Sequence, residues 1–233
     1  MYPSAPDGLG PARTELVSYG NRLLADGLSI GSAGNLSVRA GDVVAITPSG
    51  VPYPRLRPAD ICLVTLPGAQ LADGAAHRQA QPRSPSSETP MHLAIYAATS
   101  AGAVVHTHSP EVIALSAARR ELPAIHYAIT ALGGPVRVAP YARFGSAQLA
   151  EAAVAALDGR SAVILRNHGA VAYGADLAQA YDRALLLEWL ACTYRLALAY
   201  GKPALLSAAE LDEVAAESRR RRDGTGTRTA SRS

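Results

Sequence analysis

The chain has 233 residues, 48% of them hydrophobic and 18% charged, with a formal net charge of +3 and a pI near 9.0. That size suits one domain around one substantial core, and no apolar run approaches the roughly 18 residues of a membrane span. No charged leader precedes an apolar stretch near Met1, so a soluble, cytoplasmic protein is expected, and the basic excess is local to Arg219 to Arg222, Arg228 and Arg232, which suits a solvated tail better than a nucleic-acid surface.

Residues 1–12 read as a flexible lead-in, with Pro and Gly flanking Asp7. The main domain is expected over 13–217 and an Arg-rich tail without fixed structure over 218–233. From Thr14 to Asp26, Leu16, Val17, Leu23 and Leu24 fall at helical spacing, with Thr14 as N-cap and Gly27 as stop. A turn of small residues, Gly31-Ser32-Ala33-Gly34-Asn35, leads into the alternating strand Leu36-Ser37-Val38-Arg39, with Val43 to Ile46 as its hairpin partner. A second such turn is Thr47-Pro48-Ser49-Gly50. Ile61 to Leu66 reads as a strand and residues 68–85 as a polar surface excursion. Ser86 and Ser87 can then cap a helix carrying Met91, Leu93, Ile95 and Tyr96.

A buried strand over 103–107 follows, then a helix opened by Pro110, strands near 124–127 and 136–139, and a helix over 146–157. The strand 162–166 pairs with 170–173. The longest helix runs from Asp176 or Leu177 to about Tyr200, and Ser207 with Glu210 forms a capping box for a last one. Strands interleaved with helices imply a layered α/β protein.

Two imidazoles close the apolar run Ala103-Val104-Val105, in His106-Thr107-His108. At i and i+2 of an extended segment both point to one face and can reach one ion. A third candidate, His168 in Asn167-His168-Gly169, also follows an apolar run, and Glu88 precedes the pair in Ser86-Ser87-Glu88. Any one such histidine is an ordinary core residue; together, three imidazoles and an unattached carboxylate make a catalytic-metal inventory, with an open coordination position and a general base beside it. Lys202, the only lysine, sits in a turn after the long helix, so Schiff-base chemistry is excluded and carbonyl chemistry would need a metal. Cys62 and Cys192 are too few and too distant for a disulfide framework. His92 and His77 are read as structural or solvent-facing, and His126 as a packing or interface residue. Trp189, Tyr194 and Tyr200 are read as core or subunit contacts.

Three turns share a composition: Gly31 to Asn35, Thr47 to Gly50, and Ser84-Pro85-Ser86-Ser87. Glycine permits close backbone approach, and hydroxyl, amide and backbone N–H donors can hold a phosphate without lysine. Each is, by itself, an ordinary turn. The Gly31 segment is neither a Walker loop nor a dinucleotide fingerprint, which argues against nucleotide binding.

Taken in order, Gly31-Ser-Ala-Gly-Asn-Leu-Ser-Val-Arg39, Ile46-Thr-Pro-Ser-Gly50, Pro85-Ser-Ser-Glu88, Val104-Val-His-Thr-His108, Leu122-Pro-Ala-Ile-His-Tyr127, Ala139-Pro-Tyr-Ala-Arg-Phe-Gly145 and Asn167-His-Gly169 resemble the zinc-dependent class II aldolase and adducin-head family. The resemblance covers about residues 14 to 200. It implies a three-layer α/β/α fold with a central, largely antiparallel sheet, and a homotetramer with active sites between neighbouring subunits. It makes His106, His108 and His168 the ligands of one Zn2+, Glu88 the acid/base, and Ser32, Asn35, Ser49, Gly50, Ser86 and Ser87 the phosphate contacts. Tyr127 would reach a neighbour's site. The implied reaction cleaves a ketose 1-phosphate like L-fuculose 1-phosphate to dihydroxyacetone phosphate and a short aldehyde through a metal-stabilised enediolate.

The chain departs from that branch in having no tyrosine after Tyr200, and Thr89-Pro90-Met91-His92 resembles the epimerase and decarboxylase branches more. A ribulose-5-phosphate 4-epimerase, or a sugar-phosphate dehydratase or decarboxylase, is the alternative activity. The rival of another class is a non-catalytic adducin-like binding head. No nucleic-acid or membrane partner is expected.

Overall fold

The computed structural model describes residues 9–71 and 83–229. The elements run α1 (Gly10–Ala25), β1 (Asn35–Ala40), β2 (Val43–Ile46), β3 (Cys62–Thr65), α2 (Thr89–Ala98), β4 (Ala103–Thr107), α3 (Pro110–Ala118), β5 (Glu121–Leu122), β6 (Val136–Ala139), α4 (Ala147–Leu157), β7 (Ala162–Leu165), β8 (Gly169–Gly174), α5 (Leu177–Tyr200) and α6 (Ala208–Thr229). The strands form one sheet in the order β3-β2-β1-β4-β8-β7-β6-β5. Every pairing is antiparallel except β6 with β7, so the expected mixed α/β fold with a central, largely antiparallel sheet is present.

Strand alternation divides the core between the two faces of the sheet. Leu36, Ala45, Leu63, Ala103, Val105, Ile164 and Ala172 pack with Leu16 and Leu23 of α1, Val112 of α3, and Leu187 and Leu190 of α5. Val44, Ile46, Val64, Val104, Val163, Leu165 and Val171 pack on the other face with Met91 and Ile95 of α2 and Leu149 and Ala153 of α4. Each of the fully buried valine, leucine, isoleucine and methionine side chains stabilises the fold by about 1.5–3 kcal/mol. The centre of the sheet, where β1, β4 and β8 meet, is therefore held rigidly from both sides. By the same alternation Asn35, Ser37 and His106 fall on the face toward α2.

Several local expectations change in the folded chain. Helix α1 begins at Gly10, with Pro11 in its first turn and Leu9 at the cap; the first-turn proline overrides Thr14, whose hydroxyl bonds back to the Gly10 carbonyl instead. Ser86 and Ser87 do not cap α2, because Glu88 occupies that position and Ser86 Oγ accepts from the Glu88 N–H at 3.2 Å. The strand expected near 124–127 is absent; β5 lies earlier, and Tyr127–Leu132 forms a 3-10 helix capped by the His126 ring, which accepts from Ala128 N–H. Arg219 to Arg222, expected in a tail, stand on α6, whose start carries the anticipated Ser207–Glu210 capping box. His77 and most of the polar excursion lie outside the described residues. No helix is long and apolar enough to cross a membrane among the described residues.

Candidate active site

His106, the penultimate residue of β4, lies directly opposite Asn35 of β1 and Val171 of β8. His108 follows one residue beyond the strand, its backbone N–H bonded to the Leu28 carbonyl at 3.0 Å. The next helix is anchored from across the fold. The carboxylate of Glu188 on α5 accepts from the N–H groups of Glu111 and Val112 at 2.9 and 3.0 Å, where the α3 dipole favours negative charge. His168 enters from the turn between β7 and β8, where Asn167 is the only non-glycine residue with positive φ, 53°, among the described residues. Two glycines permit the close approach of these segments. A Cβ on Gly34 would lie 2.7 Å from the His106 carbonyl, and one on Gly169 would lie 2.0 Å from that of Thr107.

The side chains of Glu88, His106, His108 and His168 converge, their ligand atoms all within 4.8 Å of one another. The three rings pack edge to face at 4.8–5.0 Å. His106 Nδ1 lies 2.9 Å from the Ala170 carbonyl, which can only accept, so Nδ1 carries the proton and Nε2 presents a lone pair. That Nε2 lies 2.7 Å from Glu88 Oε2 and 3.0 Å from His108 Nε2. Lone pairs facing one another at these distances call for a cation between them. Glu88 Oε1 makes the same point: it is buried, lies 3.3 Å from His168 Nε2, and receives no hydrogen bond among the described residues.

Electrostatics agree with that reading. Burial, foremost, pushes His108 down to about 3 and His168 to about 4, which keeps both neutral as metal donors need. Burial opposes ionisation of Glu88, but the His106 and His168 imidazoles and the Asn35 amide outweigh it and hold the carboxyl well below the usual range. The donor set of three imidazoles and one carboxylate therefore fits a divalent metal. It differs from the expected inventory in one respect: Glu88 stands inside the ligand cluster, not apart from it.

The cluster opens into a cavity of about 290 Å³. All six residues expected to contact phosphate line it: Ser32, Asn35, Ser49, Gly50, Ser86 and Ser87, beside Glu88, His108 and His168. The walls are tied together, since Pro48 bridges Pro85 and Ser49 N–H bonds to the Ser84 carbonyl at 2.9 Å. Among the described residues no lysine or arginine lines it, so an anion there would be held by hydroxyls, backbone N–H groups and the start of α2. Tyr127 stands elsewhere. It is 56% exposed, stacks on His126 at 4.3 Å, and lines a separate cleft with Glu213 and Glu217 of α6.

Two features escaped the sequence reading. Tyr141 and Phe144, about 60% exposed, line the cavity mouth from the loop after β6; exposed aromatics in a Pro- and Gly-bearing loop were the available signal. His92 is fully buried and joined through Asn35 to Glu88. Its spacing of four residues from Glu88 was visible, but the strand residue linking them was not.

The family model described as Class II Aldolase and Adducin N-terminal domain matches residues 14–194. The chain is 38% identical over 206 residues to a 5-deoxy-D-ribulose 1-phosphate aldolase of Bacillus thuringiensis serovar kurstaki, covering 87% of this chain and 93% of that protein. It is 40% identical over 179 residues to L-fuculose phosphate aldolase of Escherichia coli, covering 76% and 79%. A solved structure of L-fuculose 1-phosphate aldolase superposes with a TM-score of 0.84 at 34% identity, covering 92% of this chain and 98% of that one. Sequence, fold and a cluster able to hold a divalent metal agree: the chain belongs to the class II aldolase and adducin N-terminal domain family, as an enzyme of its aldolase, carbon–carbon lyase, branch.

Proposed function

We propose that this enzyme is a zinc-dependent aldolase that cleaves a ketose 1-phosphate between C3 and C4, releasing dihydroxyacetone phosphate and a short aldehyde. The observation that carries the reading is the single cavity in which hydroxyl-rich turns, suited to a phosphate, adjoin the Glu88 and histidine cluster. The relatives' names point the same way, since 5-deoxyribulose 1-phosphate and fuculose 1-phosphate share the phosphorylated half and differ in the aldehyde half.

His106, His108, His168 and Glu88 would hold the zinc, a metal suited to nitrogen and carboxylate donors. Bound there, it would polarise the ketose carbonyl and lower the cost of charge developing at C3. Ser32, Ser49, Gly50, Ser86 and Ser87, with Asn35, would fix the phosphate and so orient the C3–C4 bond. Glu88 would deliver the proton to C3, which keeps the electron pair of the broken bond. One proton leaves the C4 hydroxyl and one is added at C3, so the cleavage needs no other reactant. Tyr127, remote from Glu88 within one chain, would serve the C4 oxygen in a neighbouring subunit of a homotetramer. The half-buried His126 beside it packs on the exposed Trp189, with ring centroids 5.1 Å apart, which suits such an interface. A cytoplasmic location fits these substrates.

The test is release of dihydroxyacetone phosphate from L-fuculose 1-phosphate and from 5-deoxyribulose 1-phosphate by zinc-loaded protein, with a chelated control. Zinc-dependent release supports the proposal. Zinc-bound protein that releases none and instead returns a C4-inverted ketose phosphate is an epimerase.

A further inference from the structure

Glu88 caps α2 and His92 stands one turn later, so the two side chains share a helix face. They do not bond to each other; β1 joins them. Asn35 Oδ1 lies 2.6 Å from His92 Nε2, and Asn35 Nδ2 donates to Glu88 Oε2 at 3.2 Å. Ser37 Oγ lies 2.7 Å from His92 Nδ1 and 2.8 Å from the Tyr96 hydroxyl. All five residues are buried.

The carboxylate dictates the direction of every bond, because it can only accept. Asn35 Nδ2 must donate, so Oδ1 accepts. His92 then carries its proton on Nε2, Nδ1 accepts from Ser37, and Ser37 accepts from Tyr96. A single donor chain thus runs from Tyr96 through Ser37, His92 and Asn35 to Glu88. Without His92 the Asn35 amide could turn over and set its oxygen against the carboxylate. These groups also occupy a stretch of sheet face where apolar residues would pack α2 at lower desolvation cost, which a role confined to packing does not explain.

We infer that His92 is a positioning residue for the acid/base: acting through the Asn35 carboxamide, it engages Oε2 and so holds the Glu88 carboxylate in one orientation for handling the proton. The inference rests on the proposed role of Glu88. Burial keeps His92 neutral, its pKa pushed down to about 3, which leaves a fixed tautomer to do the holding.

The experiment compares His92→Phe, His92→Gln, Asn35→Ala and the double variant His92→Phe/Asn35→Ala. Readouts are zinc per chain, kcat and KM for ketose 1-phosphate cleavage, and the visible absorption of the cobalt(II)-loaded protein. For His92→Phe, zinc content stays, KM moves little, and kcat falls about 10- to 100-fold. Its cobalt spectrum changes as Glu88 loses its fixed geometry. Glutamine, whose amide again offers one donor and one acceptor, recovers most of kcat and the wild-type spectrum. The double variant is no worse than Asn35→Ala, because both residues act in series. A lower thermal midpoint with unchanged kcat and cobalt spectrum would reduce His92 to a packing residue and overturn the inference. If His92→Phe does not fold, Ser37→Ala removes the far hydrogen bond with little loss of volume and is read in the same way. Wild-type protein that binds cobalt but cleaves no ketose 1-phosphate refutes the proposed activity, while the spectra still decide the role of His92.

Discussion

The backbone N–H of Asn167 donates to Ser116 Oγ at 2.9 Å, and the residue it steadies is held at φ 53°. Helix α3 thereby fixes the turn that presents His168, and asparagine is among the few residues that accept this conformation at low cost. Asn167→Gly is expected to keep metal content and thermal midpoint close to wild type. Asn167→Val should cost about 1–3 kcal/mol and lower metal occupancy, as read by denaturant unfolding and metal analysis.

Removing one ligand and removing only the proton function should have separable effects. His168→Ala is expected to lose bound metal on dialysis, and full occupancy would refute the four-residue cluster. Glu88→Gln keeps an oxygen near the metal position but cannot exchange a proton, so metal content should hold while kcat falls about 100-fold or more. Metal analysis alongside initial rates distinguishes the two.

The separation of Tyr127 from the cavity within one chain gives a subunit-mixing test. Tyr127→Phe and His168→Ala should each be nearly inactive alone. Mixed and reassembled, they should regain activity, because some hybrid sites combine an intact tyrosine with an intact metal cluster. Absence of recovery in demonstrated hybrid oligomers would place both residues in one subunit's site.

Away from the site, Asp60 is a buried carboxylate that accepts from Arg57 N–H and Nε at 3.0 and 3.1 Å and from Arg83 Nε at 3.2 Å. Burial would raise its pKa, but the hydrogen bonds from Arg57 and Arg83 outweigh it and lower the value. A depressed folded pKa contributes stability above the unfolded value, near 3.9, and that contribution is lost as pH falls through the folded value. Asp60→Asn should therefore be less stable at neutral pH and show a flatter loss of stability below about pH 4 in thermal melts. Asp60→Ala should cost about 1–3 kcal/mol at pH 7, since it removes the hydrogen bonds that the Arg57 N–H and the two guanidinium groups make to a buried acceptor.

Local patterns were enough wherever one segment decides its own structure. The apolar runs before His106 and His168, the proline opening α3, the helix over 146–157 and the Ser207–Glu210 box are all present as read. Reading failed where neighbours in space decide. Thr14 lost the α1 cap to a start beside Pro11. The apolar run near 124–127 became a turn and a 3-10 helix because the sheet edge is filled by Glu121 and Leu122 against β6.

The sequence by itself determined the family, the layered α/β class and the residue types of the centre, because strand alternation puts His106 and His108 on one face and small residues mark the turns. Only the tertiary structure decided that Glu88 stands among the imidazoles, that six turn residues share its cavity, that Tyr127 stands apart, and that His92 reaches Glu88 through Asn35. Those relations join residues tens of positions apart, and side-chain distances across a sheet depend on strand order and register, which no single segment encodes.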